Sequence, residues 1–262
     1  FNELVKEYVL EGINYPTAIS KAIKVLTHYE TNKPNDLLGI SYIKEIIKQN
    51  AKIEPICIKR TNDFHGLNTD DDIISATSIR NLLKEKKDIS KYVPRITMEY
   101  LKNDDYFIDN YFDLIKFKII SNYDSLETFQ TVDEGIEGRI KKAIYESNNL
   151  EELISKIKSK RYTYNKIKRM LVHILCGFTK NEALKCQNSE YIRVLGFNNK
   201  GKLYLNQHKK DSTLPIITGY SNINSEILNI EFRVNAIYFM IDKQKNKNNL
   251  ITMEYIHKTI FI

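Results

Sequence analysis

The chain has 262 residues, 42% of them apolar, enough to bury the core of one large domain or two ordinary ones. Lys and Arg outnumber Asp and Glu 40 to 33, and the resulting net charge of +7 fits either a polyanionic partner or simply a lysine-rich genome. Three widely spaced cysteines without a C-x-x-C pair exclude a disulfide framework, and no apolar run reaches the ~18 residues of a membrane span, so a cytoplasmic protein away from any membrane is expected.

Helical periodicity is present from the first residues, with Leu4, Val5, Tyr8 and Val9 on one face and a stop near Gly12. The chain opens on this helix without an initiator Met, which leads to the expectation of sequence upstream of Phe1. Tyr15-Pro16 begins a second helix, with Pro in its first turn and Ile19, Ala22, Ile23 and Leu26 as the buried stripe. A third helix follows "TNKPND", with Asn35 as its N-cap and Leu38, Tyr42, Ile43 and Ile46 at helical spacing. "KIEPICIKR" reads as a strand ending at Arg60. A lone strand is not stable, so it must join a sheet whose other strands are not evident nearby. A fourth helix is expected near Ala76 to Lys86 after the loop "HGLNTDDD".

The stretch Lys86–Pro94 reads as a domain boundary, giving an α/β domain over 1–90 and a mainly helical domain over 91–262. In the latter, "YFIDNYFDLIKFKIISNYD" is amphipathic and aromatic, two or three helices follow from Asp133, and Ile167, Met170, Leu171, Ile174 and Leu175 form a core stripe. "YIRVLGF" and "TLPIITGY" look like short strands.

Three places carry possible chemistry. Arg60 would sit at the C-terminal end of its strand, the edge where open α/β sheets bind ligands. "ISATSIR" brings Ser75, Thr77 and Ser78 to a helix start, with Arg80 one turn on. Such a start offers amides, hydroxyls and a guanidinium to a phosphate, or the hydroxyls merely cap the helix. The basic run Lys156, Lys158, Lys160, Arg161, Lys166, Lys168 and Arg169 spans about four helical turns, with Tyr162 and Tyr164 interleaved. Lys166, Arg169 and His173 share one face of it. Cations beside aromatics suit phosphate contact and base stacking on RNA, although a charge run is also an ordinary solvated face. The five histidines lack ligand spacing, so no metal centre is expected, and neither a P-loop nor a dinucleotide fingerprint is present.

"KPNDLLGISYI", "IKRTNDFHG", "ISATSIR", "EGIEGRI", "KRYTYNKIKRMLVHIL" and "YIRVLGFNNKGKLYL" resemble, in order, blocks of the bacterial tRNA(Met) cytidine acetate ligase family. The resemblance runs from "EGINYPTAI" to the end of the chain. "ISATSIR" is shared by many nucleotidyltransferases, whereas the last two blocks are more specific.

The resemblance implies the rear half of a Rossmann-like nucleotidyltransferase domain followed by a mainly helical tRNA-binding domain. It also implies an ATP-dependent ligase that activates acetate as acetyl-adenylate and acetylates N4 of the wobble cytidine in elongator tRNA(Met), with ATP carried by Mg2+. Residue by residue, it assigns ATP binding to Asn35, Arg60, Thr61, Ser75, Thr77 and Arg80. The tRNA face would be Lys160, Arg161, Lys166 and Arg169. The family's H-x-G-H motif is missing; His65-Gly66 runs into Leu67-Asn68. A segment upstream or another chain would have to supply the catalytic histidines, and this polypeptide alone should catalyse no acetate-dependent ATP–pyrophosphate exchange. A non-catalytic RNA-binding module and a nucleotidyltransferase acting on a small metabolite are the alternatives.

Overall fold

The computed structural model describes residues 1–31, 33–58, 72–101, 106–220, 223–242, 247–256 and 259–262. Two compact units result, Phe1–Asp105 with Ser159–Thr163, and Tyr106–Lys158 with Tyr164–Ile262. The division falls beyond the Lys86–Pro94 stretch, because Ile89 is 1% exposed and packs with Ile74 and Leu82 of the first unit, under Tyr92, Val93 and Met98.

The first unit contains α1 (Asn2–Leu10), α2 (Tyr15–Thr27), α3 (Pro34–Lys48), α4 (Ala76–Lys84) and α5 (Arg95–Leu101). Val5, Ala18 and Ala22 form the seam between α1 and α2. α1 ends where Gly12, at φ +86, turns the chain left-handed; its N–H donates to the carbonyl of Val9, and that of Ile13 donates to Tyr8. This is a Schellman ending with its hydrophobic contact, since Ile13 packs on the α1–α2 seam. α2 opens on Asn14, whose side chain accepts from the Thr17 amide at 3.1 Å, with Pro16 in the first turn as the sequence indicates.

α4 ends in the same geometry as α1, but with Lys86 rather than glycine at φ 56. Opposite substitutions at the two sites should therefore move stability in opposite directions. Gly12→Ala is expected to cost roughly 1–2 kcal/mol by forcing a Cβ into left-handed backbone. Lys86→Gly is expected to gain up to about 1 kcal/mol. Chemical denaturation of the two variants checks both signs.

Three sequence expectations change. Lys52–Ile58 is not a strand: Ile53, Ile56 and Ile58 stand 62%, 85% and 91% exposed, with no pairing partner among the described residues. Asn35 does not cap α3; the cap is Lys33, and the exposed Asn35 side chain lies inside the first turn. The apolar stripe of α3 exists as a pattern but is not buried, since Leu38, Tyr42 and Ile43 are exposed, as is Leu26 of α2.

In the second unit, 3-10 turns at Ile108–Tyr111 and Tyr123–Thr128 flank α6 (Phe112–Ser121), followed by α7 (Ile136–Tyr145), α8 (Leu150–Ile157), α9 (Tyr164–Leu175) and α10 (Lys180–Lys185). Ile115, Ile119, Ile140, Ile144, Leu153, Ile154, Ile157, Ile167, Met170, Leu171 and Ile174 are all fully buried. α9 packs on α6 and α8, as its stripe requires.

The remainder is mixed, as expected from its short apolar runs. β1 (Ile192–Arg193) pairs in parallel with β3 (Ile216–Ile217), and β2 (Gly196–Phe197) with β4 (Ile260–Phe261). α11 (Asn199–His208), α12 (Glu226–Tyr238) and α13 (Lys247–Ile256) complete the unit. Of the cysteines, Cys176 is buried, Cys186 half-buried and Cys57 exposed, and all three are free thiols. No helix among the described residues is long and apolar enough to cross a membrane.

Candidate nucleotide and RNA interfaces

The start of α4 is built by local chemistry. Ser75 adopts extended backbone, and its hydroxyl accepts from the Ser78 amide at 3.1 Å. The Ser75 and Ser78 hydroxyls lie 3.0 Å apart, both residues being buried. Ser75 therefore holds the helix start rather than presenting its hydroxyl to solvent.

Thr77 and Arg80 are exposed, and their three-residue spacing puts them on one face of the helix. Neither side chain has a partner among the described residues, nor do the amides of Ala76 and Thr77. Open first-turn amides at the positive end of a helix, with a hydroxyl and a guanidinium beside them, form a surface able to hold a phosphate.

Asp72, the last of the acidic triplet, does not compete for this surface. Its carboxylate pairs with the Lys91 ammonium at 2.8 Å, and the hydrogen bond from Lys91 holds its pKa below the usual carboxylate range. Arg60, Thr61, His65, Asp70 and Asp71 lie outside the described residues.

The basic run is not one helix. α8 ends at Ile157, where Lys158 turns to extended backbone, and α9 begins only at Tyr164. A cation from elsewhere seals the break: one guanidinium nitrogen of Arg139 donates to the carbonyls of Lys156 and Lys158 at 3.3 and 3.2 Å.

Lys160 and Arg161 belong to the first unit, Lys166 and Arg169 to the second. The Arg161 guanidinium packs over Gly12, 3.3 Å from where a Cβ there would stand. Lys160 and Arg169 are exposed, without ion-pair partners among the described residues. Lys166 is half-buried.

Neither interleaved tyrosine is available for base stacking. Tyr162 is 3% exposed. Tyr164 donates its hydroxyl to Glu151 at 2.6 Å and carries Lys168 over its ring at 4.8 Å; burial, with that carboxylate, pushes its pKa up to about 12. His173 is held at one ring nitrogen, its Nδ1 lying 3.1 Å from both the Gln130 carbonyl and the Thr131 hydroxyl. Burial, then the charge of Arg169, lowers its pKa. It reads as a neutral ring anchoring α9, not as an RNA contact.

Other charges that the sequence leaves uncommitted are structural. Arg193 pairs with Glu231 at 2.8 Å and covers the Tyr220 ring, while Arg233 pairs with Glu182, which closes the capping box of α10. An open cleft of about 590 Å³ beside the start of α12 is lined by Lys185, Glu190, Asn224, Ser225 and Glu226. Lys185 is paired with Glu226, and Ser225 donates to Glu190, so its charged groups and the serine hydroxyl are occupied.

Against known proteins, residues 1–252 match the family model described as HIGH Nucleotidyl Transferase. The tRNA(Met) cytidine acetate ligase of Anoxybacillus flavithermus is 34% identical, over 97% of this chain and 68% of that protein. Two crystal structures of Thermotoga maritima TmcAL, each 22% identical, cover 100% of the chain. The apo form has a TM-score of 0.84 over 70% of its own length; the form bound with alpha-thio ATP has 0.80 over 69%. These likenesses establish the nucleotidyltransferase-type α/β fold, although the described regular elements of the first unit are all helices and the paired strands lie in the second.

Proposed function

The chain belongs to the tRNA(Met) cytidine acetate ligase family, and from that premise we propose that it takes part in ATP-dependent acetylation of N4 of the wobble cytidine in elongator tRNA(Met). An acetate oxygen attacks the α-phosphorus of ATP and pyrophosphate leaves, giving acetyl-adenylate. The cytidine amine then attacks the acyl carbon, AMP leaves, and the amine loses a proton.

The observation that carries the nucleotide part is the open start of α4. Two amides without a partner among the described residues, the exposed Thr77 hydroxyl and the exposed Arg80 guanidinium lie together there. A leaving pyrophosphate gathers negative charge, and donors already fixed in place stabilise it without reorganisation. Ser75 contributes by holding the helix start, and Asn35, Arg60 and Thr61 complete the nucleotide contacts. ATP arrives with Mg2+ on its phosphates. The tRNA contacts are Lys160, Arg161, Lys166 and Arg169. The three free thiols agree with action in the cytoplasm.

Arg80→Ala is expected to weaken Mg–ATP binding at least tenfold, the equivalent of about 1.5 kcal/mol for a charged hydrogen bond. Isothermal titration calorimetry reads it. Binding equal to the wild-type chain would remove α4 from the nucleotide site.

The chain has no H-x-G-H, so catalysis requires those histidines from another polypeptide segment. The same segment would give Ile53, Ile56 and Ile58 a sheet to join. Acetate-dependent ATP–pyrophosphate exchange by this chain alone would overturn that requirement. The missing motif also favours a second reading, a non-catalytic RNA-binding module, which predicts tRNA binding with no Mg–ATP binding at all.

A further inference from the structure

The helical hairpin of α6 and α7, with the 3-10 turn after α6, exposes aromatic side chains that the basic run does not include. Phe117 is 69% exposed, Tyr145 62%, Ile120 42% and Tyr123 37%. The elements are antiparallel neighbours: the Lys116 ammonium reaches the Ser147 carbonyl at 3.1 Å, while Lys141 sits 4.7 Å over the Tyr123 ring. The Tyr123 and Tyr145 rings lie 6.2 Å apart at a tilt of 51°, fixed against each other but open outward. Lys142, three residues before Tyr145, has no ion-pair partner among the described residues.

The size of the surface selects its partner. Aromatic side chains present ~150–250 Å² each, so these fractions leave roughly 300–400 Å² of apolar area. A stable protein interface takes about 800 Å² from each side. Two unpaired bases need far less, and each ring face is a stacking platform whatever the base.

We infer that Phe117 and Tyr145 stack unpaired nucleotides of the RNA substrate, with Lys141 and Tyr123 holding the Tyr145 ring in place and Lys142 beside a phosphate. The inference rests on the reading of the chain as a tRNA ligase and adds which kind of RNA segment it grips. Acidic residues on the same elements, Asp113, Asp124, Glu127 and Glu137, nearly balance the lysines. Stacking carries the part of this contact that a ring substitution removes, so such a substitution should weaken binding without changing its salt slope.

The test uses the whole chain and fluorescence anisotropy with tRNA, a labelled ten-nucleotide oligoadenylate, and the same strand paired to oligouridylate. Tyr145→Ala and Phe117→Ala should each weaken the single strand roughly tenfold, leave the duplex unaffected, and keep the wild-type salt slope. Tyr145→Phe, which retains the ring, should bind as wild type. Both side chains are exposed, so an unchanged melting temperature verifies the fold. If the wild-type chain binds tRNA and Tyr145→Ala changes neither probe, or weakens both equally, the stacking contact is overturned while the ligase reading stands. If the wild-type chain binds no RNA, both fall. A wild-type dimer that Tyr145→Ala dissociates would assign the surface to a second copy of the chain instead.

Discussion

Reversing Lys160 and Arg169 together, as K160E/R169E, is expected to weaken tRNA binding about a hundredfold, at roughly 1.5 kcal/mol for each charged contact. It should also reduce the slope of log affinity against log salt by about 2, since each lost phosphate contact returns close to one counterion. These two cations suit the experiment because both are exposed and neither has an ion-pair partner among the described residues. Their reversal leaves no buried charge, so stability should stay within about 0.5 kcal/mol of wild type. Lys168→Glu is the informative control. Its ammonium is already engaged over Tyr164 at 4.8 Å, so a smaller change in salt slope is expected there. Filter binding across a salt series separates the outcomes. Wild-type slopes for K160E/R169E would take both residues off the RNA face.

What the sequence made legible was what local chemistry decides. The start of α4 is readable because a serine cap and the amide it serves are three residues apart, and the buried stripe of α9 because 3.6-residue spacing is a local property. The misplaced cap of α3 is also local in origin. Pro34 has a fixed φ and no N–H, so it takes the first helical position, and it biases Lys33 toward the extended backbone that a cap requires. Lys33 is observed at ψ 126 without a side-chain bond to the helix. Asn35 is the better capping residue at a position already inside the turn.

The break within the basic run is not legible in the sequence for the opposite reason, since it depends on a distant partner. Arg139 takes the carbonyls that the end of α8 leaves open, and the loop after it buries Tyr162. Nothing within Lys156–Arg169 announces either event. Lys52–Ile58 is a third case. Alternation tells which residues want cover, but a strand exists only once another strand pairs with it.

α9 offers a sharper test, because adjacent residues of one helix should respond very differently. Leu171 is 0% exposed and Val172 is 37% exposed. Leu171→Ala removes a side chain from the layer where α9 meets α6 and α8, leaving a cavity that rigid neighbours only partly close. The expected loss is about 3–5 kcal/mol. For a unit of this size each kcal/mol shifts melting by roughly 2–4 °C, so a fall of about 10 °C is expected by circular dichroism. Val172→Ala faces solvent and trades a β-branched residue for the best helix former. It should change stability by less than about 0.5 kcal/mol.

The pair also separates support from contact. Leu171→Ala should weaken tRNA binding only as the second unit melts, because the side chain touches no solvent. At temperatures well below the transition its affinity should equal that of the wild-type chain, whereas K160E/R169E should be defective at every temperature. Equal losses of stability in the two α9 variants would mean that the helix is rotated from the orientation described, and Arg169 would then lose its place on the exposed face.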